Sequence, residues 1–362
     1  MTFKPLNEND VVNTRTLLHE AIPLTGAIVS GTYGGDNYKP YSHGMFVSVY
    51  DYPYLSSSAN HIFDFTTGLS SDSLLYAGAT QASKKRNIYN QMAQILMGYD
   101  ATGSIQKFDE DGNLLAGGPP AGGEKMKEVF VLPFSRLLVK DEIKKETFQM
   151  QLDVDAFNGT AQPFTNLVTI SDVSASNEYR VNSPAGEYGI LYATGSTSLD
   201  TLSTHTTTIN GDQYWYAGLI FYQAGIAVLT GSIFGGLLTS PPNLNASAQP
   251  VNTVLAQSTI DDISEAFFHR IANVQFNNTT ELNSTVYFCR VNHNEFNYSS
   301  NPTYLENSRI RVKTQATDDP VAYITTVGLY NDNNELLAVA KLSEALKKTS
   351  STEFTIRARL DY

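Results

Sequence analysis

The chain has 362 residues, 41% apolar and 17% charged, which is enough for two or three domains, each with its own core. Its 36 acidic groups against 24 basic ones give a net charge of −12, which argues against nucleic-acid binding unless cations gather on one face. The single cysteine, Cys289, rules out an intrachain disulfide and a multi-cysteine zinc site.

Low charge is offset by Asn, Ser, Thr, Gln and Gly, together with 21 Tyr and 18 Phe. β-branched and aromatic residues suit pleated, half-buried surfaces, so the expected fold is mainly β with a few helices. An α+β N-terminal part, β-sandwich-like domains and an internal duplication complete that expectation. Uncharged surface rich in Tyr also suits permanent protein contacts. The opening Met-Thr-Phe-Lys-Pro-Leu-Asn-Glu lacks the apolar core of a signal peptide, so synthesis in a cytoplasm without secretion is expected. Asn-x-Ser/Thr triplets at Asn158, Asn278 and Asn283 then follow from composition alone.

Residues 1–155 mix helix and strand. A short helix is expected over Thr14–Ala21, and Gly31–Asp36 reads as a loop on its glycines. Lys84-Lys85-Arg86 reads as the solvated start of a helix capped by Ser83 and closed by Gly98, with Ile88, Met92, Ile95 and Leu96 on one face. Asp111-Gly112 signals a hairpin turn and Gly117–Gly123 a loop.

Residues 156–258 form a β-rich centre with a hairpin turn at Asn210-Gly211. Residues 213–260 carry no Asp, Glu, Lys or Arg. Glycines at 218, 225, 231, 235 and 236, Gln223 and the lack of flanking cations argue for buried strands over a membrane span. This stretch is expected to be buried between subunits or domains. Ser240–Pro250 reads as an extended linker.

Residues 259–362 begin with a helix after Thr259. Its early acids Asp261, Asp262 and Glu265 suit a positive helix N-terminus, Ile263, Phe267 and Ile271 share a face, and His269 and Arg270 lie near its end. A β segment follows. Tyr330–Ala338 echoes Phe108–Ala116: an aromatic residue, an acidic-amide turn, then Leu-Leu-Ala. In both stretches two lysines (144–145 and 347–348) precede an alternating strand that ends in Leu-Asp, which suggests two similar β units. In the last strand Phe354, Ile356, Ala358 and Leu360 alternate with Thr355, Arg357 and Arg359, so one face meets a core and the other water or a partner.

The pattern offers no catalytic constellation. Phosphate-binding loops, nucleophile elbows and zinc-protease motifs are missing. Asp109-Glu-Asp-Gly112 resembles the start of a calcium loop, but the twelfth position is Pro120 where a Glu is required, so a turn is expected. Cys289 lies in a strand-like run as a buried thiol, and with His293 it makes two ligands where zinc needs three or four. Histidines 19, 43, 61, 205, 269 and 293 are scattered, and Asp261-Asp262 and Asp318-Asp319 read as a helix start and a pre-proline turn. No catalytic, cofactor or metal residue is assigned.

Several strings carry a family resemblance. Asn9–Ile22, Tyr41–Tyr54, Asn87–Gln94, Tyr323–Tyr330 and Leu336–Leu342 resemble virion proteins of tailed bacteriophages, particularly marine contractile-tailed ones. The Gly-Leu-Tyr, acidic turn, Leu-Leu-Ala-Val pattern is similar to a recurring unit of tail-fibre base and baseplate proteins. The resemblance implies a structural virion component of the tail, baseplate or neck, contacting other virion proteins and copies of itself, and carries over no catalytic residues, so no enzymatic role is expected; composition and charge already argue against a membrane span or a nucleic-acid partner. Arg357 and Arg359 are its candidate contacts. The alternative is a receptor- or glycan-binding appendage using Tyr33, Tyr38, Tyr41 and Tyr304. An enzyme trimming envelope polysaccharide ranks last, for want of paired acids across an aromatic cleft.

Overall fold

A computed structural model gives the fold. The described residues are 3–23, 37–112, 125–154, 167–194, 206–234, 251–298, 305–306, 309–310, 315, 317 and 321–362. The expected loops Gly31–Asp36 and Gly117–Gly123, the linker Ser240–Pro250, and Tyr33, Tyr304, His205, Asn158, Asp318 and Asp319 lie outside them.

The protein is mainly β. In chain order come β1 (Val11–Pro23), β2 (Tyr38–Pro40), β3 (Val47–Tyr50), β4 (His61–Leu69), α1 (Ala82–Leu96), β5 (Glu128–Pro133), β6 (Glu142–Ile143) and β7 (Gln149–Asp153). Next are β8 (Leu167–Ser171), β9 (Arg180–Ser183), β10 (Gly186–Thr194), β11 (Thr206–Ile209), β12 (Asp212–Phe221) and β13 (Ile226–Thr230). The chain continues through α2 (Val251–Gln257), α3 (Ile260–Phe268), β14 (Ile271–Val291), β15 (Leu305–Glu306), β16 (Arg309–Ile310), β17 (Val321–Tyr330), β18 (Leu336–Thr349) and β19 (Phe354–Asp361).

Two compact units form: His19–Thr280, and Met1–Leu18 with Glu281–Tyr362. They do not follow the expected boundaries near 155 and 258. The reason is topological. β7 pairs with β8 across residue 155, and α3 packs Phe267 on Phe65 and Phe130 at ring distances of 4.5 and 5.1 Å.

In the large unit an antiparallel sheet runs in the order β14-β7-β8-β10-β12-β13-β5-β4-β3-β2. Its central strands are almost continuously apolar because both faces are covered. Along β5, Phe130 and Leu132 enter one core while Val129 and Val131 enter the other. The same alternation sorts Ile220 from Leu219 and Phe221 on β12. α3 fills the first core and α1 covers the second with Tyr89, Ala93 and Leu96, a sandwich-like layering. Each such side chain stabilises the unit by about 1.5–3 kcal/mol on burial.

The charge-free stretch supplies much of this core. Ala217, Ile220, Tyr222, Leu229, Phe234 and Leu255 are all fully buried, so its described residues are accounted for by burial within one unit and not between subunits. As expected, it forms strands, β12 and β13. Among the described residues no helix is long and apolar enough to cross a membrane. Gly218 is required where β10 and β12 slip register: φ is +154°, and a Cβ there would sit 2.0 Å from the Val228 carbonyl oxygen.

Several local expectations hold. Thr259 caps α3, its hydroxyl accepting from the Asp262 N–H while Asp262 reaches back to the Thr259 N–H. Asn210 and Gly211 take φ of +54° and +98° in the tight turn joining β11 to β12. Gly98, at φ +79°, closes α1 by donating to the Ala93 carbonyl.

Others are corrected. Thr14–Ala21 is strand, part of β1, because its backbone pairs with β14. Ser83 does not cap α1; the residue before the helix is Gln81, in the left-handed region with no side-chain cap of its own. The buried face of α1 is Lys85, Ile88, Tyr89, Ala93 and Leu96, while Ile95 points outward at 61% exposure. Lys85 is therefore no solvated residue.

In the terminal unit β14 pairs with both β1 and β19, the latter from Ser284↔Asp361 to Val291↔Phe354. β15 and β16 form one small antiparallel pair and β17 and β18 another. The expected alternation of the last strand is present: Ile356 and Ala358 are buried, and Thr355, Arg357 and Arg359 are exposed. The two echoing stretches share this closing strand, since β7 and β19 each pair antiparallel with β14. They differ before it. Lys144-Lys145 lies between strands, whereas Lys347-Lys348 lies within β18. Leu114–Ala116, the heart of the first echo, lies outside the described residues.

Candidate functional site

The residues singled out for chemistry are held in structural roles. Asp109 is fully buried, ion-paired with Lys125, and accepts the Asp111 N–H at 3.2 Å. Burial pushes its carboxyl up to about 6, with Asp111 adding to the rise and Lys125 opposing it. Cys289 shares a face of the β14–β19 pair with Ile356, its register partner, and burial raises its thiol pKa. His293 is exposed, with Nδ1 3.1 Å from a Glu353 carboxylate oxygen. Among the described residues no group of three or more His, Cys, Asp or Glu side chains is arranged to hold a metal.

The sheet brings together one cluster that sequence spacing did not suggest. Asp64 accepts the Ser48 hydroxyl at 2.5 Å and lies 2.9 Å from His61 Nε2. Tyr41 Oη is 3.2 Å from Ser48 Oγ. The serine proton goes to the carboxylate and the histidine shares that same oxygen, so the imidazole is not placed to take it. A nucleophile needs the reverse order, with the base touching the hydroxyl and the acid behind it.

The aromatic set divides. Tyr38 is half-buried against Phe268 at 6.0 Å, and burial with Glu265 beside it raises its hydroxyl pKa. Tyr41 stacks on the exposed His43 ring at 5.2 Å and 11°, with Phe46 5.0 Å from Tyr41. The acids at the start of α3 also part company. Asp262 belongs to the cap, whereas Asp261 has its pKa raised by burial and then by Asp262.

Lys85 joins helices far apart in sequence. Its ammonium donates to the Leu255 and Ser258 carbonyls at 2.7 and 2.8 Å, and the Thr80 N–H and hydroxyl donate to Ala256 and Gln257. The closing carbonyls of α2, which a helix end leaves without intrahelical donors, are thereby satisfied. Gln81 accepts the Ile260 N–H at 2.9 Å, serving the start of α3. Burial lowers the Lys85 pKa to about 8, with Asp262 opposing the change.

The terminal unit exposes apolar side chains over few buried ones. Among its described residues the buried apolar side chains are Val286, Val291, Ala322, Ile356 and Ala358, a thin core beside that of the large unit. Apolar side chains stand outward along its strands: Leu17, Tyr323, Leu337 and Val339 are about half exposed or more. Ion pairs tie the strands down, with Arg290 on Asp10 at 2.6 Å and Lys4 on Glu295 at 2.6 Å. Lys348 is fully buried, donating to the His293 carbonyl at 3.0 Å and to the Asn297 side chain at 2.7 Å. Arg359 donates to Asp361 at 2.6 Å and to Ser284 at 3.0 Å, so it holds a defined pose, while Arg357 faces outward beside Phe288.

Net charge is split unevenly. The terminal unit has 11 Lys and Arg against 12 Asp and Glu, a net −1, and the large unit has 13 against 24, a net −11, together the −12 of the chain. Compared with known proteins, the chain matches no family model, no curated protein and no solved structure.

Proposed function

We propose that the chain is a structural subunit of a tailed-bacteriophage virion, in the tail, baseplate or neck, built into the particle through its terminal unit. The observation that carries this reading is the terminal unit's exposed apolar side chains over a thin core. A two-stranded ribbon such as β17–β18 is marginal alone in water, and a packing partner makes it stable. Exposed apolar surface beside a thin core suits a protein interface. The Gly-Leu-Tyr, acidic turn, Leu-Leu-Ala-Val pattern of residues 328–339, which is similar to a unit of baseplate and fibre-base proteins, falls on this same ribbon.

Charge reversal on β19 tests the reading. Arg357 and Arg359 are exposed, so replacing both with Glu preserves the buried face of that strand. The expected result is a folded chain with reduced incorporation into particles. Normal incorporation would return the strand to plain scaffolding. A second reading, a glycan-binding appendage, draws on the Tyr41–His43 stack at the surface of the large unit. Saturable glycan binding by the isolated chain, lost in Tyr41→Ala, would favour it.

A further inference from the structure

We propose that the buried Asp109 carboxyl and the Lys125 amine condense to an amide, a cross-link that the chain forms within itself, with the Asp111 carboxyl carrying the proton. The proposal stands apart from the assembly reading above.

Three observations support it. The first is placement. Asp109 and Lys125 lie opposite each other in an antiparallel bridge, and beside them the Met126 N–H donates to the Phe108 carbonyl at 3.0 Å. The ion pair sets Lys125 Nζ against Asp109 Oδ2, one bond from the carbon it would attack. Reacting groups held in this way act at effective concentrations of about 10⁵–10⁸ M. The second is the dryness of the acid. The Asp109 side chain is 0% exposed, whereas Glu295, Asp72 and Glu187, the acids paired with Lys4, Lys107 and Lys145, are 30%, 52% and 31% exposed. Phe108 and Met126, next to the pair in sequence, belong to the core that α1 covers. A dry site penalises charge, and condensation replaces an ammonium and a carboxylate by one neutral amide.

The third is the set of groups around the carboxyl. Asp109 Oδ1 accepts the Asp111 N–H at 3.2 Å, which polarises the carboxyl toward attack. Burial first, and then a hydrogen bond with the Asp111 carboxyl, raises Asp109 to about 6. Its neutral form, the one with a leaving hydroxyl, is therefore populated near neutral pH. The step balances with no co-reactant. The ammonium passes one proton to Asp109 Oδ2, and the freed amine attacks Cγ. Asp111 takes a second proton from the attacking nitrogen and delivers it to Oδ2. The Cγ–Oδ2 bond breaks, water leaves and the amide remains, with nothing oxidised or reduced.

The test is the intact mass of the purified full chain. The parent should be lighter than its sequence mass by one water molecule. Trypsin with a glutamate-specific protease should release Phe108–Glu110 joined to Lys125–Lys127. Lys125→Arg keeps the positive charge and cannot condense, so it should have its full mass, with circular dichroism showing the parent fold. Asp111→Asn leaves the ion pair in place and should slow the loss of water about a hundredfold or more. A folded parent that keeps its full mass after prolonged incubation would overturn the proposal. So would a loss of water that persists in Lys125→Arg, because it would then arise at another site, such as a succinimide at Asp111-Gly112. Asp111→Asn condensing as fast as the parent would overturn the role given to Asp111.

Discussion

Replacing Lys85 with Met tests whether the large unit depends on a cation buried at a helix junction. Methionine keeps the length of the apolar stem and removes the ammonium, so the effect isolates the polar contacts. The Leu255 and Ser258 carbonyls lose their donors at 2.7 and 2.8 Å. Each carbonyl left unsatisfied costs about 1–3 kcal/mol. The ammonium's own dehydration, the main cause of its lowered pKa, disappears with it and offsets part of that cost. A net loss of about 2–4 kcal/mol is expected, read as a lower urea midpoint at unchanged slope. The pH dependence supplies a second signature. The folded pKa of about 8 lies below the unfolded value near 10.5, so between these pH values the unfolded chain holds a proton that the folded one has lost. This residue's contribution to stability therefore rises with pH across that window. In Lys85→Met the difference from the parent should widen from pH 7 to pH 10. A variant within about 0.5 kcal/mol of the parent at pH 7, with no such widening, would refute the argument.

Further predictions concern the same unit. Asp172 is buried and accepts from the Glu146 and Phe148 N–H groups and the Tyr222 hydroxyl, and burial pushes its carboxyl up to about 6. Its contribution is present below about pH 4 and lost as pH rises through 6, so urea midpoints of Asp172→Asn should lack that component of the pH profile. Leu96→Ala should cost about 2–5 kcal/mol in chemical denaturation, and Ile95→Ala, on the outer face of α1, within about 0.5. Gly218→Ala should destabilise by more than about 1 kcal/mol, because the added Cβ meets the Val228 carbonyl. A neutral effect there would contradict the close approach of β12 and β13.

What the sequence revealed and what it hid follow from the range of the forces involved. The α3 cap, the Asn210-Gly211 turn, the Gly98 helix stop and the alternation of β19 depend on neighbours a few residues away, and each was legible. The charge-free stretch announced buried strands correctly, but its burial partner was inside the same unit. β1 was misread because Leu17, Leu18 and Ala21 have helical spacing, while the pairing that makes it a strand comes from β14, some 260 residues on. Lys85 was misread for the same reason. Its carbonyl partners lie 170 and 173 residues away, and nothing local distinguishes it from Lys84. The Ser48–Asp64–His61 cluster, too, exists only once β3 pairs with β4. For the candidate interface, strand periodicity picked out Arg357 and Arg359, and the lack of charge along Val321–Tyr330 was visible throughout. That this run pairs with β18 as a two-stranded ribbon could be seen only from the strand order.

The central claim is that the terminal unit builds this chain into a larger particle. On the proposed reading, the most direct measurement is an electron-microscopy map of the purified phage particles, with the protein located in the density. The account predicts the chain in the tail, baseplate or neck, with β17, β18 and the outer face of β19 covered by neighbouring subunits. Particles that lack the chain, or that hold it with those strands open to solvent, would contradict it.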